Sequence, residues 1–141
     1  PGIEHWLGHE LPALLDTGAT VVCSIWGRSI DDYRRAADLL GAAPPGVIAV
    51  EVNLSCPNLE GRGGIFAHDA DLSADVVAAT SGCGRPRWAK LSPNTDRIVE
   101  VAVAVADAGA EANPDRDEYD IASDGCAREK RKRTAATMPA G

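Results

Sequence analysis

With 141 residues, 45% apolar and 25% charged, the chain is long enough for one globular domain, and its composition excludes disorder throughout. A net charge of −7 argues against a general nucleic-acid partner, because phosphate binding needs a positive surface. No apolar run approaches the roughly 20 residues that span a bilayer, and the N-terminus lacks the basic-then-apolar order of a secretory leader, so no membrane contact and a cytoplasmic location are expected.

Apolar residues at Ile3, Trp6, Leu7, Leu11, Leu14 and Leu15 recur with a helical period and predict a helix over 3–15, stopped by Gly18. His5 and His9, four apart, share a face of that helix at ligand spacing. With no recognisable third ligand they read as a solvated helix face, and no metal is expected. Thr20 to Trp26 is a β-branched run between Gly18 and Gly27 and predicts a buried strand. Ser29 followed by Asp32 resembles a capping box, and Tyr33, Ala36, Ala37 and Leu40 carry the apolar stripe of a second helix to Gly41.

Pro44-Pro45-Gly46 breaks the chain before a strand from Val47 to Asn53, whose continuous run Val47-Ile48-Ala49-Val50 is expected to be covered on both faces. Leu54 to His68 is rich in Gly, Pro and Asn and reads as a loop. Leu72, Val76, Val77 and Ala79 mark a helix up to Gly82, Arg87 to Leu91 a short strand, and 96–108 a final helix closed by Gly109. This alternation with short connections predicts right-handed βαβ crossovers and a parallel sheet of about three strands, too few to close a barrel. Residues 113–141 mix charges of both signs without apolar period and are expected to form a disordered tail. Its basic run, Arg128 to Arg133 around Glu129, reads as solvated rather than as a nucleic-acid patch.

Parallel α/β folds place their sites at the carboxyl ends of strands, where Asn53 and Lys90 both fall. The loop after the second strand adds Ser55, Cys56 and Asn58, a concentration of amide, thiol and hydroxyl groups that packing does not account for. A thiol near a cation such as Lys90 is able to ionise and act as base or nucleophile, while the competing reading of Cys56 is a small buried hydrophobe. Asn53 and Asn58 compete with a loop-capping role beside Pro57. Cys23 and Cys83 read as structural. The four cysteines, including Cys126, form no C-x-x-C pair, so reduced thiols are expected. Gly61-Arg62-Gly63-Gly64 lacks the Lys-Ser/Thr of a nucleoside-triphosphate loop.

The run Asn53-Leu54-Ser55-Cys56-Pro57-Asn58-Leu59, then Gly63-Gly64, then Lys90-Leu91-Ser92-Pro93-Asn94, resembles the paired motifs of class 1 dihydroorotate dehydrogenases. Pro1-Gly2-Ile3-Glu4 and Cys23-Ser24-Ile25-Trp26-Gly27 resemble the segments that precede them, so the likeness covers residues 1–112. It implies a (β/α)8 TIM barrel that binds FMN at its carboxyl-end mouth and oxidises dihydroorotate to orotate in pyrimidine biosynthesis. Cys56 is then the base that takes the C5 proton. Asn53 and Asn58 bond the substrate ring, Asn53 also touches the flavin, and Lys90 bonds the flavin and offsets charge on its reduced ring.

Cysteine at position 56 resembles class 1 rather than the quinone-using class, which has serine there. Lys90-Leu91-Ser92-Pro93-Asn94 resembles the NAD-linked branch, whose catalytic chain forms a homodimer and works with an electron-transfer subunit carrying FAD and an iron–sulfur cluster. A barrel of this kind needs roughly 250 residues. The family's upstream substrate-binding Asn, the Asn-Thr strand expected after 112 and the late phosphate-binding strands have no counterpart in the sequence. A partial barrel, inactive by itself, is therefore expected. The alternatives are a piece of the related dihydropyrimidine dehydrogenase, which Asn58-Leu59-Glu60-Gly61 fits less well, and a truncated product without catalysis.

Overall fold

A computed structural model describes residues 2–56 and 65–111. The sequence expectations for Asn58 and for the tail 113–141 fall outside these residues. The first helix is not uniform: α1 (Ile3–His5) passes through a π segment (Trp6–Glu10) into α2 (Leu11–Asp16). Pro12 supplies the reason. It has no N–H to return to the Gly8 carbonyl and its ring crowds that oxygen, so the helix widens and the Leu11 N–H reaches back to Trp6 O.

Strand β1 (Val21–Ile25) is one residue shorter at each end than its β-branched run suggested. Helix α3 (Ile30–Gly41) begins at the expected capping box: the Asp32 N–H donates to Ser29 Oγ at 3.3 Å and Ser29 N–H to Asp32 Oδ2 at 3.1 Å. The Arg28 N–H donates to the same carboxylate at 3.0 Å, and this backbone bond, with Ser29, holds the Asp32 carboxyl below its ordinary pKa. Strand β2 (Val47–Asn53) follows, then a 3-10 turn (Phe66–His68) inside what the sequence presented as loop. Helix α4 (Ala70–Ala79), capped by Asp69 on the Leu72 N–H, runs through a second 3-10 turn (Thr80–Cys83) to β3 (Arg87–Lys90). Helix α5 (Ile98–Asp107) ends at Gly109, whose φ of 96° belongs to the left-handed region open to glycine.

All strand pairs are parallel and the sheet order is β1-β2-β3, with Cys23 opposite Val50, Ser24 opposite Glu51 and Asn53 opposite Lys90. This is an unclosed arc of a (β/α)8 barrel. The core joins Cys23, Ile25, Val50 and Val52 of the sheet to Tyr33, Ala37 and Leu40 of α3 and to Phe66, Val76, Val101 and Val105. The Tyr33 and Phe66 rings meet edge to face at 5.5 Å. Beyond α5 the chain returns beside β3, where the Glu111 N–H donates to Arg87 O at 2.7 Å.

The expected two-sided cover of the β2 run is not found. Val47, Ala49 and Val50 are buried, but Ile48, skipped where the register slips by one residue between the Val21–Val47 and Val22–Ala49 pairs, is 46% exposed; Val22 of β1 and Trp26 just beyond it, alternating with buried Cys23 and Ile25, are exposed as well. The helices of the described residues blanket one face, and a period-2 or continuous apolar pattern carries no record of what covers the other.

At the amino ends of the strands Arg85 ties the connections together. Its guanidinium donates to Val47 O at 2.7 Å, Leu40 O at 2.6 Å, Cys83 O at 3.0 Å and Ala43 O. The planar fork of donors suits four carbonyls that converge from separate turns. Among the described residues no helix is long and apolar enough to cross a membrane.

Candidate active site

The side chains of Asn53 and Lys90 leave neighbouring strands at paired positions, so they share one face at the carboxyl end of the sheet. The backbone continues the pairing one step further, with Leu54 N–H donating to Lys90 O at 3.0 Å. The Asn53 carbonyl points into the core and accepts a 2.6 Å hydrogen bond from Tyr33 Oη. Burial pushes the Tyr33 phenol up to about 12, so it stays a donor across the neutral range.

After Asn53 the chain turns sharply. Ser55 donates twice to Asn53 Oδ1, from its N–H at 3.1 Å and from its Oγ at 2.8 Å. Two donors on Oδ1 fix the amide orientation and direct the Nδ2 hydrogens toward Cys56, whose sulfur accepts at 3.2 Å. Cys56 is half-buried, whereas Cys23 and Cys83 are buried; burial raises the Cys23 thiol, and Cys83 donates to Arg85 O at 3.4 Å. Ala67 N–H donates to Leu54 O at 3.1 Å, and the His68 ring nitrogen lies 3.0 Å from Asn94 Oδ1 in the loop after β3.

The cation that the sequence suggested for Cys56 is committed elsewhere. Lys90 Nζ lies 3.3 Å from Glu51 Oε1, and the same oxygen accepts from Ser24 Oγ at 2.7 Å. One residue from each strand thus forms a tie across the open face. Sequence reasoning missed Glu51, Ser24 and Tyr33. The signal for Glu51 was a lone carboxylate in an apolar strand, two residues before Asn53 and so on the same face. Tyr33 gave none, since its partner depends on how α3 packs over β2.

A flavin ring offers carbonyl oxygens and ring nitrogens along one edge, and the donors at this strand end suit that edge. Lys90 has ammonium hydrogens beyond the one toward Glu51; two residues before it in β3, opposite Glu51, Trp88 Nε1 is a buried donor with no partner among the described residues. The His5 and His9 rings stack at 4.2 Å, with His5 Nε2 3.5 Å from Glu10 Oε1.

Residues 1–113 match the family model described as dihydroorotate dehydrogenase. Among known proteins the chain is similar to the "Dihydroorotate dehydrogenase B (NAD(+)), catalytic subunit" of Desulforudis audaxviator, 41% identical over 113 residues. The proteins of the same name from Bacillus cytotoxicus and Listeria monocytogenes are 36% and 37% identical over 112 residues. Each of these matches covers 79% of this chain and 36% of the relative, so the chain spans about a third of the length of the curated relatives it matches. On a match across most of its length, and with Asn53, Cys56 and Lys90 at the carboxyl end of a parallel sheet, the chain belongs to the dihydroorotate dehydrogenase family.

Proposed function

We propose that this chain supplies the substrate-facing segment of an FMN-dependent oxidation of dihydroorotate to orotate, in the NAD-linked branch of the family. The observation that carries the reading is the Asn53-Ser55-Cys56 turn beside Lys90 at the carboxyl end of the sheet. Bound FMN supplies the acceptor for the hydride that leaves C6 of the substrate. Cys56 takes the C5 proton, with Asn53 Nδ2 steadying the sulfur at 3.2 Å. Asn53 and Asn58 hydrogen-bond the pyrimidine ring, and Asn53 and Lys90 hold the flavin edge.

The NAD-linked assignment is supported by the names of the relatives, which are NAD(+)-linked catalytic subunits. It brings with it a homodimer and a partner subunit carrying FAD and an iron–sulfur cluster. Residues 1–112 form the barrel segment in this reading, and 113–141 a separate extension.

The test is Cys56→Ser in a complete, FMN-loaded catalytic chain containing this segment. A serine hydroxyl gives up its proton far less readily than a thiol and so supplies far less anionic base near neutral pH; flavin therefore stays bound while its bleaching by dihydroorotate slows by about 10²- to 10⁴-fold. An unchanged stopped-flow rate removes Cys56 from the mechanism.

A further inference from the structure

Lys90 ends β3 on the open face of the sheet, where a lysine side chain has four rotatable bonds and many positions to choose from. Its ammonium nevertheless lies 3.3 Å from Glu51 Oε1, and both side chains are about three-quarters buried, at 22% and 25% exposure. The Glu51 carboxylate is held in turn by Ser24 Oγ at 2.7 Å. Register makes this arrangement possible: Ser24 is opposite Glu51, and Lys90 is opposite Asn53, one side chain further along the same face. Partial burial leaves the pair less screened than a surface ion pair.

We infer that Glu51 is a positioning residue that fixes the Lys90 ammonium at the mouth of the site, with Ser24 holding the carboxylate in place. The inference rests on the flavin-facing role proposed for Lys90 and deepens it. Glu51 confines the cation to the plane of the strand end, keeps its remaining hydrogens free for a ligand acceptor, and offsets part of its charge. Asn53, on the same face, then meets a cation of fixed position rather than a mobile one.

The chain has three lysines, Lys90, Lys130 and Lys132, so side-chain ¹⁵N-lysine spectra of the whole polypeptide are simple, and Lys90→Gln assigns the resonance. Without ligand, the Lys90 ammonium hydrogens are expected to exchange with water about tenfold more slowly than in Glu51→Gln, the ratio one charge-assisted hydrogen bond supplies. Ser24→Ala is expected to give an intermediate rate with the amide spectrum intact. Added FMN is expected to move the Lys90 resonance in the wild type and to move it less in Glu51→Gln, a difference that a purely structural Glu51 would not produce.

Equal exchange rates in wild type and Glu51→Gln overturn the inference. Should Glu51→Gln fail to fold, an Ser24→Ala rate equal to wild type overturns it. If FMN leaves the wild-type resonance unmoved while the exchange rates differ as expected, the flavin reading of Lys90 fails and the Glu51–Lys90 positioning stands.

Discussion

Asn53 and Lys90 face each other across β2 and β3 in register, and the Tyr33 hydroxyl anchors the Asn53 carbonyl from the opposite side of the sheet. Position 53 therefore serves two layers at once. Its backbone binds the core through α3, and its side chain organises the Cys56 turn on the open face. A slip of one residue in β2 would send the amide into the core and a valine into the site, which is why the buried anchor matters for function.

Tyr33→Phe removes that anchor together with the hydrogen bond that the phenol oxygen accepts from the Gly27 backbone. It is expected to lower unfolding free energy by about 1–2 kcal/mol at neutral pH, because the bond is buried and its acceptor loses a partner. The phenol adds a pH signature. Below pH ~10 both folded and unfolded chains hold its proton; between about 10 and 12 the unfolded chain releases it while the folded chain does not. Stability contributed by Tyr33 is thus full below the unfolded pKa and is lost as pH rises through the folded value. Urea unfolding followed by Trp fluorescence should show the gap between wild type and Tyr33→Phe closing over this window. A constant gap from about pH 8 to about pH 12 would contradict the burial assigned to Tyr33.

Arg85 predicts a larger loss far from the site. Arg85→Ala leaves the carbonyls of Leu40, Ala43, Val47 and Cys83 short of a donor together, and is expected to cost about 3 kcal/mol. Arg85→Lys should recover less than half of this, since an ammonium cannot span carbonyls that a planar fork reaches at once. Thermal melts of the two variants decide it. Equal melting temperatures for Lys and Arg at this position would show that charge alone suffices.

Ser29 and Asp32 allow a test on the exposed side of α3. Ser29→Ala removes the acceptor for the Asp32 N–H and is expected to cost about 1 kcal/mol. The Asp32 carboxyl has a lowered folded-state pKa, so its contribution is present above the unfolded value and fades as pH falls through the folded one. Asp32→Asn should accordingly be less stable than wild type at neutral pH and approach it in acid. A difference that persists unchanged as pH falls well below the ordinary carboxylate range would locate the effect elsewhere than in the carboxylate.

How much of this was legible in the sequence depended on the range of the interaction. The Ser29–Asp32 box, the β2 run and the Gly109 stop are local, and each was readable from neighbouring residues. The π segment was readable in principle, because Pro12 lies inside an otherwise helical period, yet a hydrophobic pattern tolerates a widened turn and does not report it. The Glu51–Lys90 pair was hidden because 39 positions separate the two along the chain and only the parallel register brings them together (90 against 51 in the numbering). The exposure of Ile48 was hidden for another reason: the residue is suited to burial, and the one-residue register slip that leaves it out of the β1–β2 pairing has no signature in the apolar run.

The last expectation concerns how firmly the 141-residue polypeptide by itself holds FMN. The described residues offer the flavin edge Asn53 and Lys90 at one strand end, on a face that stays open beside Trp26. About three hydrogen bonds of roughly 1.5 kcal/mol each amount to some 4–5 kcal/mol, which corresponds to a dissociation constant on the order of a millimolar or a little below. The family fold draws its tight grip from a mouth formed by loops of many strands, including those that bind the phosphate. The isolated polypeptide is therefore expected to leave gel filtration colourless after incubation with FMN, while millimolar FMN still perturbs Lys90. A yellow protein emerging with one flavin per chain would mean that residues 1–141 contain a phosphate site of their own, and the division of labour proposed for this segment would have to be redrawn.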